Sequence, residues 1–268
     1  MKKYLKVLFV VLVLAFATIS VVIGTQVLSE ERITTNTAQQ RRAVIYGDIV
    51  VFEDERNNAT TGVDIWGYNL VTKQEFQITT ATGNQRKPTI YGDIVVWQDE
   101  RNNATTGVDI WGYNLKTKEE FQITRATGNQ QRPAIYEDIV VWQDNRSGGL
   151  NDIWAYNLKT KEQFQITTNP NGEENADIDG DIVVWQDGRR GTSDIWGYNL
   201  VTKQEFQITT NTADQYEPAI YCGRVVWHDL RSGDRDIYLA NLDVVCEAAH
   251  KSLPIAQILK ILGLYPKE

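Results

Sequence analysis

One string returns five times along this chain and limits what the chain can fold into. IVVFEDER (49–56), IVVWQDER (94–101), IVVWQDNR (139–146), IVVWQDGR (182–189) and RVVWHDLR (224–231) are copies of one motif. Their aromatic residues Phe52, Trp97, Trp142, Trp185 and Trp227 stand 45, 45, 43 and 42 residues apart. A second motif follows each copy: DIWGYNL (64–70 and 109–115), DIWAYNL (152–158), DIWGYNL (194–200) and DIYLANL (236–242). A third follows four of the five: EFQITT (75–80), EFQITR (120–125), QFQITT (163–168) and EFQITT (205–210). Self-similarity at such a period marks a repeat architecture, in which a unit buries its apolar surface only against its neighbours.

Each motif reads as a strand. IVVWQD is β-branched and aromatic, without helical period. Ile94 and Val96 point one way, Val95 and Trp97 the other, so the strand is apolar on both faces and must lie between two sheets. Gly112 inside DIWGYNL weakens a strand unless something large packs over it, and a Trp from the adjacent sheet is the expected cover. PTIYGD (88–93) supplies a further strand and a turn. Four strands in 42–45 residues is the period of a propeller blade.

The fifth unit ends at Leu242 without a copy of EFQIT, and the missing strand stands at the other end of the chain as EERITT (30–35). A ring removes the free edge that such a gap would leave. The expected fold is therefore all-β, a five-bladed propeller over residues 27–242, closed by 30–35 pairing with DIYLANL.

These strings resemble the TolB-like propeller repeat, which is also seen in archaeal and bacterial cell-surface proteins. Trp-Gln-Asp-x-Arg, Asp-Ile-Trp-x-Tyr-Asn-Leu and Gln-Ile-Thr-Thr carry the resemblance, over about four fifths of the chain. TolB itself differs in having six blades preceded by an α/β domain, so its role in the Tol system of the envelope is not carried over. Oligopeptidases with related propellers add a hydrolase domain, and no G-x-S-x-G elbow occurs in this sequence.

The ends of the chain read differently from the repeats. Lys2, Lys3 and Lys6 precede an apolar run from Val7 to Gly24, and Ala15-Phe16-Ala17 matches a signal peptidase site. Residues 1–26 are expected to be a signal peptide or an uncleaved membrane anchor, either of which puts the body outside the cytoplasm, secreted or attached to the cell surface. Without those three lysines the net charge goes from −8 to −11, and an acidic body repels nucleic acid and anionic lipid. Cys222 and Cys246 are the only cysteines, and in an exported chain they are expected to form one disulfide. In the tail, 243–268, Ser252 and Pro254 open a short expected helix with an apolar stripe through Leu253, Ile255, Ile258, Leu259, Ile261 and Leu262.

Residues with chemistry mostly have a structural reading. The recurring pairs Asp54/Arg56, Asp99/Arg101, Asp144/Arg146, Asp187/Arg189 and Asp229/Arg231 suit hairpin pinning better than a metal site repeated five times. All eight tryptophans fall at repeat positions, where blade packing needs them. Asp177 and Asp179 depart from the repeat and could serve hydrolysis, with a solvated loop the plainer reading. Asn58, Asn103 and Asn145 begin N-x-S/T triplets, acceptors if the host glycosylates exported proteins.

No catalytic residue, cofactor or metal ligand is expected, although an oxygen-rich metal site in the channel stays open. The expected function is non-catalytic binding outside the cell to a protein or envelope component. The alternatives are a glycan-binding propeller and a glycoside hydrolase-type enzyme. Loops before PxIYGD vary most between units, and there Gln85, Gln130, Glu173, Gln215 and Tyr216 are expected to line the channel mouth and contact the ligand.

Overall fold

Every copy of IVVWQD folds as the second strand of an antiparallel sheet. The computed structural model describes residues 30–146 and 148–244. The first sheet holds β1 (Gln40–Tyr46), β2 (Ile49–Asp54), β3 (Asp64–Asn69) and β4 (Gln74–Gln77). The second holds β5 (Gln85–Tyr91), β6 (Ile94–Asp99), β7 (Asp109–Asn114) and β8 (Glu119–Gln122). The third comprises β9 (Gln130–Tyr136), β10 (Ile139–Asp144), β11 (Asp152–Asn157) and β12 (Gln163–Gln165). The fourth comprises β13 (Glu173–Asp179), β14 (Ile182–Asp187), β15 (Asp194–Asn199) and β16 (Gln204–Gln207). The fifth has three strands, β17 (Gln215–Tyr221), β18 (Arg224–Asp229) and β19 (Asp236–Asn241).

The sheets stack as blades because each has two apolar faces. Val51, Ile65 and Ile78 of the first sheet meet Ile90, Val95 and Trp97 of the second in one buried cluster. The next junctions repeat the pattern around Trp142, Trp185 and Trp227. Burying one such side chain is worth about 1.5–3 kcal/mol, which sets these clusters as the main stabilising element.

Within a blade, one network pins the outer strands. Asp99 is fully buried. It accepts the Trp97 indole N–H at 2.8 Å, the Arg101 backbone amide at 2.8 Å and the Arg101 guanidinium at 2.7 Å. That guanidinium also lies 3.8 Å over the Trp111 ring. Arg56 on Trp66, Arg146 on Trp154, Arg189 on Trp196 and Arg231 on Tyr238 do the same.

The glycine in DIWGYNL is covered by a different residue from the one expected. A Cβ on Gly112 would meet the Phe121 ring at 2.6 Å, and Phe121 is its cross-strand partner on β8. The cover comes from the same blade, through the Phe of EFQIT, and leaves the tryptophans to fill the space between blades.

Two expectations at the ends need separate statements. Residues 30–35 form no strand, and the outer edge of β19 has no partner among the described residues. Ile33 nonetheless packs on Val50, Phe52 and Tyr68 of the first sheet, as Ile78 packs on the second. Inner strands pack in sequence, β1 on β5, β5 on β9, β9 on β13 and β13 on β17, with no comparable packing of β17 on β1. Ile237 is therefore 66% exposed where its repeat equivalents Ile65, Ile110, Ile153 and Ile195 are fully buried. The apolar leader (1–26), Cys246 and the expected C-terminal helix lie outside the described residues.

Candidate binding site at the channel mouth

Each innermost strand is bulged at the same place. Pairing of β5 with β6 runs through Arg86↔Gln98 and resumes at Thr89↔Val96, so Lys87 and Pro88 together face Trp97. Equivalent shifts fall at Arg42–Ala43, Arg132–Pro133, Asn175–Ala176 and Glu217–Pro218. The first residue of each bulge has left-handed φ: 53° at Arg42, 53° at Lys87, 54° at Arg132, 55° at Asn175 and 52° at Glu217. None is glycine, so each holds roughly 1 kcal/mol or more of backbone strain. Pro in the second place has no N–H to leave unpaired.

A hydrogen bond between neighbouring blades sustains that conformation. The Lys87 amide donates to Glu53 on β2 at 2.8 Å. The Arg132, Asn175 and Glu217 amides donate to Gln98, Gln143 and Gln186 at 3.3, 3.3 and 3.2 Å. The Gln of WQD thus serves the next blade, a role visible only once the blades are side by side.

The bulges surround a cavity of about 600 Å³ reached by all five inner strands, with Arg42, Lys87, Arg132, Asn175 and Glu217 on its wall. Its charge is uneven. Glu53, fully buried, accepts from Arg41 at 3.0 Å and Arg42 at 3.1 Å. Arg132 donates to Asn175, and His228 stands 3.2 Å from Glu217. Burial, then Arg132 and Arg42, lowers the Lys87 ammonium to about 8. Farther along the same strands Tyr91 lies against both Tyr46 and Tyr136, with ring centroids 4.8 Å apart in each pair.

The residues expected to contact ligand stand behind this wall. Gln85, Gln130, Glu173 and Gln215 open β5, β9, β13 and β17, pair with Asp99, Asp144, Asp187 and Asp229, and are fully buried. Gln85 donates to the Gly83 carbonyl at 2.9 Å, and Gln215 accepts from Thr209 at 2.8 Å. Their loops are tied as well, Gln85 N to Val63 O at 2.7 Å and Val63 N to Asn84 Oδ1 at 3.1 Å. They brace the loops, and the bulge residue two positions on lies on the cavity wall. Tyr216 is half-buried, its phenol raised by burial and by its bond to Asp214.

Burial also raises the Glu173 carboxyl, to about 8, with Thr167 opposing and Asp187 and Asp152 adding to the shift. Asp177 and Asp179 lie on β13 and not on a loop; they accept the Ile220 and Cys222 amides at 2.9 and 2.7 Å. Asn58 and Asn103 are exposed, whereas Asn145 is half-buried and accepts the Asn129 amide at 2.5 Å.

Sequence reasoning missed the bulge residues. Their signal was a charged residue before Pro inside a strand, at Lys87-Pro88, Arg132-Pro133 and Glu217-Pro218.

The blades, their bulged inner strands and the cavity they enclose define a TolB-like β-propeller fold. A structure described as a putative TolB from Agrobacterium tumefaciens has 12% identity and a TM-score of 0.59, covering 79% of this chain and 80% of that one. TolB from Acinetobacter baumannii has 15% identity and a TM-score of 0.58, covering 74% of this chain and 52% of its own. An oligogalacturonate lyase from Vibrio parahaemolyticus has 15% identity and a TM-score of 0.58, over 78% and 65%. At these identities the likeness is one of fold. No protein-family model matches the sequence, and no curated protein matches it.

Proposed function

We propose that this chain is a non-catalytic binding propeller that acts outside the cytoplasm and holds a protein or another envelope component at its channel mouth. The observation that carries this reading is the bulge position. Two residues before it Gln recurs in four blades of five, and three residues after it Ile recurs in all five, while the cavity-lining residue changes through Arg42, Lys87, Arg132, Asn175 and Glu217. A position that only packs would keep one residue type, as Trp97, Trp142 and Trp185 do. The charged leader and apolar run at 1–24 support export. The capping of Trp66, Trp111, Trp154 and Trp196 by arginine favours a protein partner over a stacked sugar.

The same reading includes a ring of five blades in which residues 30–35 complete the fifth. Ile33 already occupies on the first blade the place that a preceding blade's fourth strand would fill. The test of the binding role is capture from envelope extract by the wild type and by an Arg42→Ala/Lys87→Ala/Arg132→Ala variant. Loss of the captured partner is expected. Full capture by a folded triple variant would remove the mouth as the site.

A further inference from the structure

Lys87 is the one basic bulge residue that no acceptor satisfies. Its ammonium has no hydrogen bond and no ion pair with any described residue. The groups facing it are Arg42 from β1, Glu53 from β2, Arg132 from β9 and Glu174 from β13. Glu53 is engaged by Arg41 and Arg42 through its side-chain oxygens, with Arg86 at 4.0 Å. Glu174 accepts the Asn151 carboxamide at 3.0 Å. Arg132 donates to the neutral Asn175, and no carboxylate lies within salt-bridge distance of it among the described residues.

Lys87 and Arg132 thus share one cavity without a salt-bridge partner, beside Arg42, which shares Glu53, while the two carboxylates of the lining are engaged elsewhere, Glu217 facing His228 at 3.2 Å and Asp177 accepting the Ile220 amide at 2.9 Å. Placing like charges together in a partly desolvated site is unfavourable by itself. This cluster sits in a chain of net charge −8 with 35 acidic residues, where a neutralising Asp or Glu was readily at hand. The missing partner is therefore best supplied from outside.

We propose that the channel mouth is an anion site in which Lys87, flanked by Arg42 and Arg132, holds a dianionic oxyanion carried by the ligand. Two cations without an ion-pair partner match a pair of adjacent carboxylates or one phosphate monoester. Arg132 offers a planar fork and Lys87 a point charge, a combination suited to two oxygens of one group. The cavity of about 600 Å³ admits such a group together with the few atoms that carry it. Pro88, Pro133 and Pro218 give the wall an apolar surface for those atoms. The site deepens the channel-mouth reading of function and rests on it.

Binding also fixes a direction of pH dependence. An anion beside Lys87 favours its charged form, so bound Lys87 titrates above the value of about 8 that burial, Arg132 and Arg42 impose on the free protein. For succinate, which is dianionic at both ends of the range, affinity should be level from pH 6.5 to about 7.5 and fall towards tenfold per unit as pH rises past 8.

The test is calorimetric titration of the full chain with succinate and, separately, inorganic phosphate, at pH 6.5 and 9. Three variants accompany it. Lys87→Met removes the charge. Lys87→Asn removes it with a residue that the fourth blade already places at this left-handed position. Lys87→Arg keeps it. Expected are binding of at least one anion by the wild type, a tenfold or greater loss in Lys87→Met and Lys87→Asn, and affinity without a fall at pH 9 in Lys87→Arg. The stronger of the two anions identifies the group. Absence of binding by both anions, or equal binding by Lys87→Asn, overturns the anion site. If capture from envelope extract still depends on the triple arginine–lysine change in that case, the mouth remains the binding face and only its anion chemistry is wrong.

Discussion

The Glu53 carboxylate on β2 accepts the Lys87 backbone amide on β5 at 2.8 Å, and the two Arg41 and Arg42 side chains at 3.0 and 3.1 Å. One buried acid therefore joins two blades and half-neutralises the channel wall. The other junctions use a neutral Gln, as Gln98 does for Arg132. Replacing Glu53 by Ala would leave the Lys87 amide and the Arg42 guanidinium without this partner, Arg41 keeping Glu55 at 2.6 Å, with an expected loss of about 3 kcal/mol. Glu53→Gln should cost about 1 kcal/mol and, by making the wall more positive, tighten anion binding. Urea unfolding of both variants checks the ranking; equal stabilities would show that the charge on Glu53 contributes nothing.

Asp99 anchors its blade by accepting from the Trp97 indole and from both the amide and guanidinium of Arg101. In Asp99→Ala the indole N–H stays buried without an acceptor. Destabilisation of about 3–5 kcal/mol is expected, most of it absent in Arg101→Ala, whose side chain reaches solvent. Thermal melts of the pair decide this: similar losses would mean that the ion pair, and not the buried indole, matters.

Glu173 gives stability a pH dependence of a definite sign. Its carboxyl is raised by burial from 4.5 to about 8 in the folded chain. Between those values the folded protein holds a proton that the unfolded chain releases. This contribution is complete below pH 4.5 and is lost as pH rises through 8. Glu173→Gln, which restores the residue of the neighbouring blades, should flatten that slope and add roughly 2–4 kcal/mol above pH 8. Denaturation at pH 5, 7 and 9 measures it; a parallel offset at all three would refute the assignment to Glu173.

Ring closure makes a prediction at Ile237, which is 66% exposed on β19, a strand whose outer edge has no partner among the described residues. A closed ring puts it in the place that Ile195 holds between blades. Ile237→Asp should then destabilise by about 3 kcal/mol or more, approaching the effect of Ile195→Asp. A change within about 0.5 kcal/mol would place Ile237 in solvent and leave the ring open.

Much of the architecture was legible in residue order, because the deciding forces are local or repeat at a fixed period. IVVWQD cannot leave either face in water, so its five copies call for neighbouring sheets, and strands, turns and blade order follow from composition and spacing. The Asp-x-Arg pairs were readable for the same reason, their partners lying two residues apart. What covers Gly112 was not readable, because Phe121 reaches it only through the β7–β8 register. Nor was the site. Gln85 looked like a surface glutamine in a variable loop, and only packing against the preceding blade buries it. Lys87 read as part of the variable loop before PTIYGD, and only the bulge against Trp97 and the bond to Glu53 put it on the cavity wall beside Arg42 and Arg132. Periodicity along one chain specifies what each blade is. The charge on the cavity wall arises where the inner strands come together, between residues some 45 positions apart in the chain, and that proximity exists only in the tertiary structure.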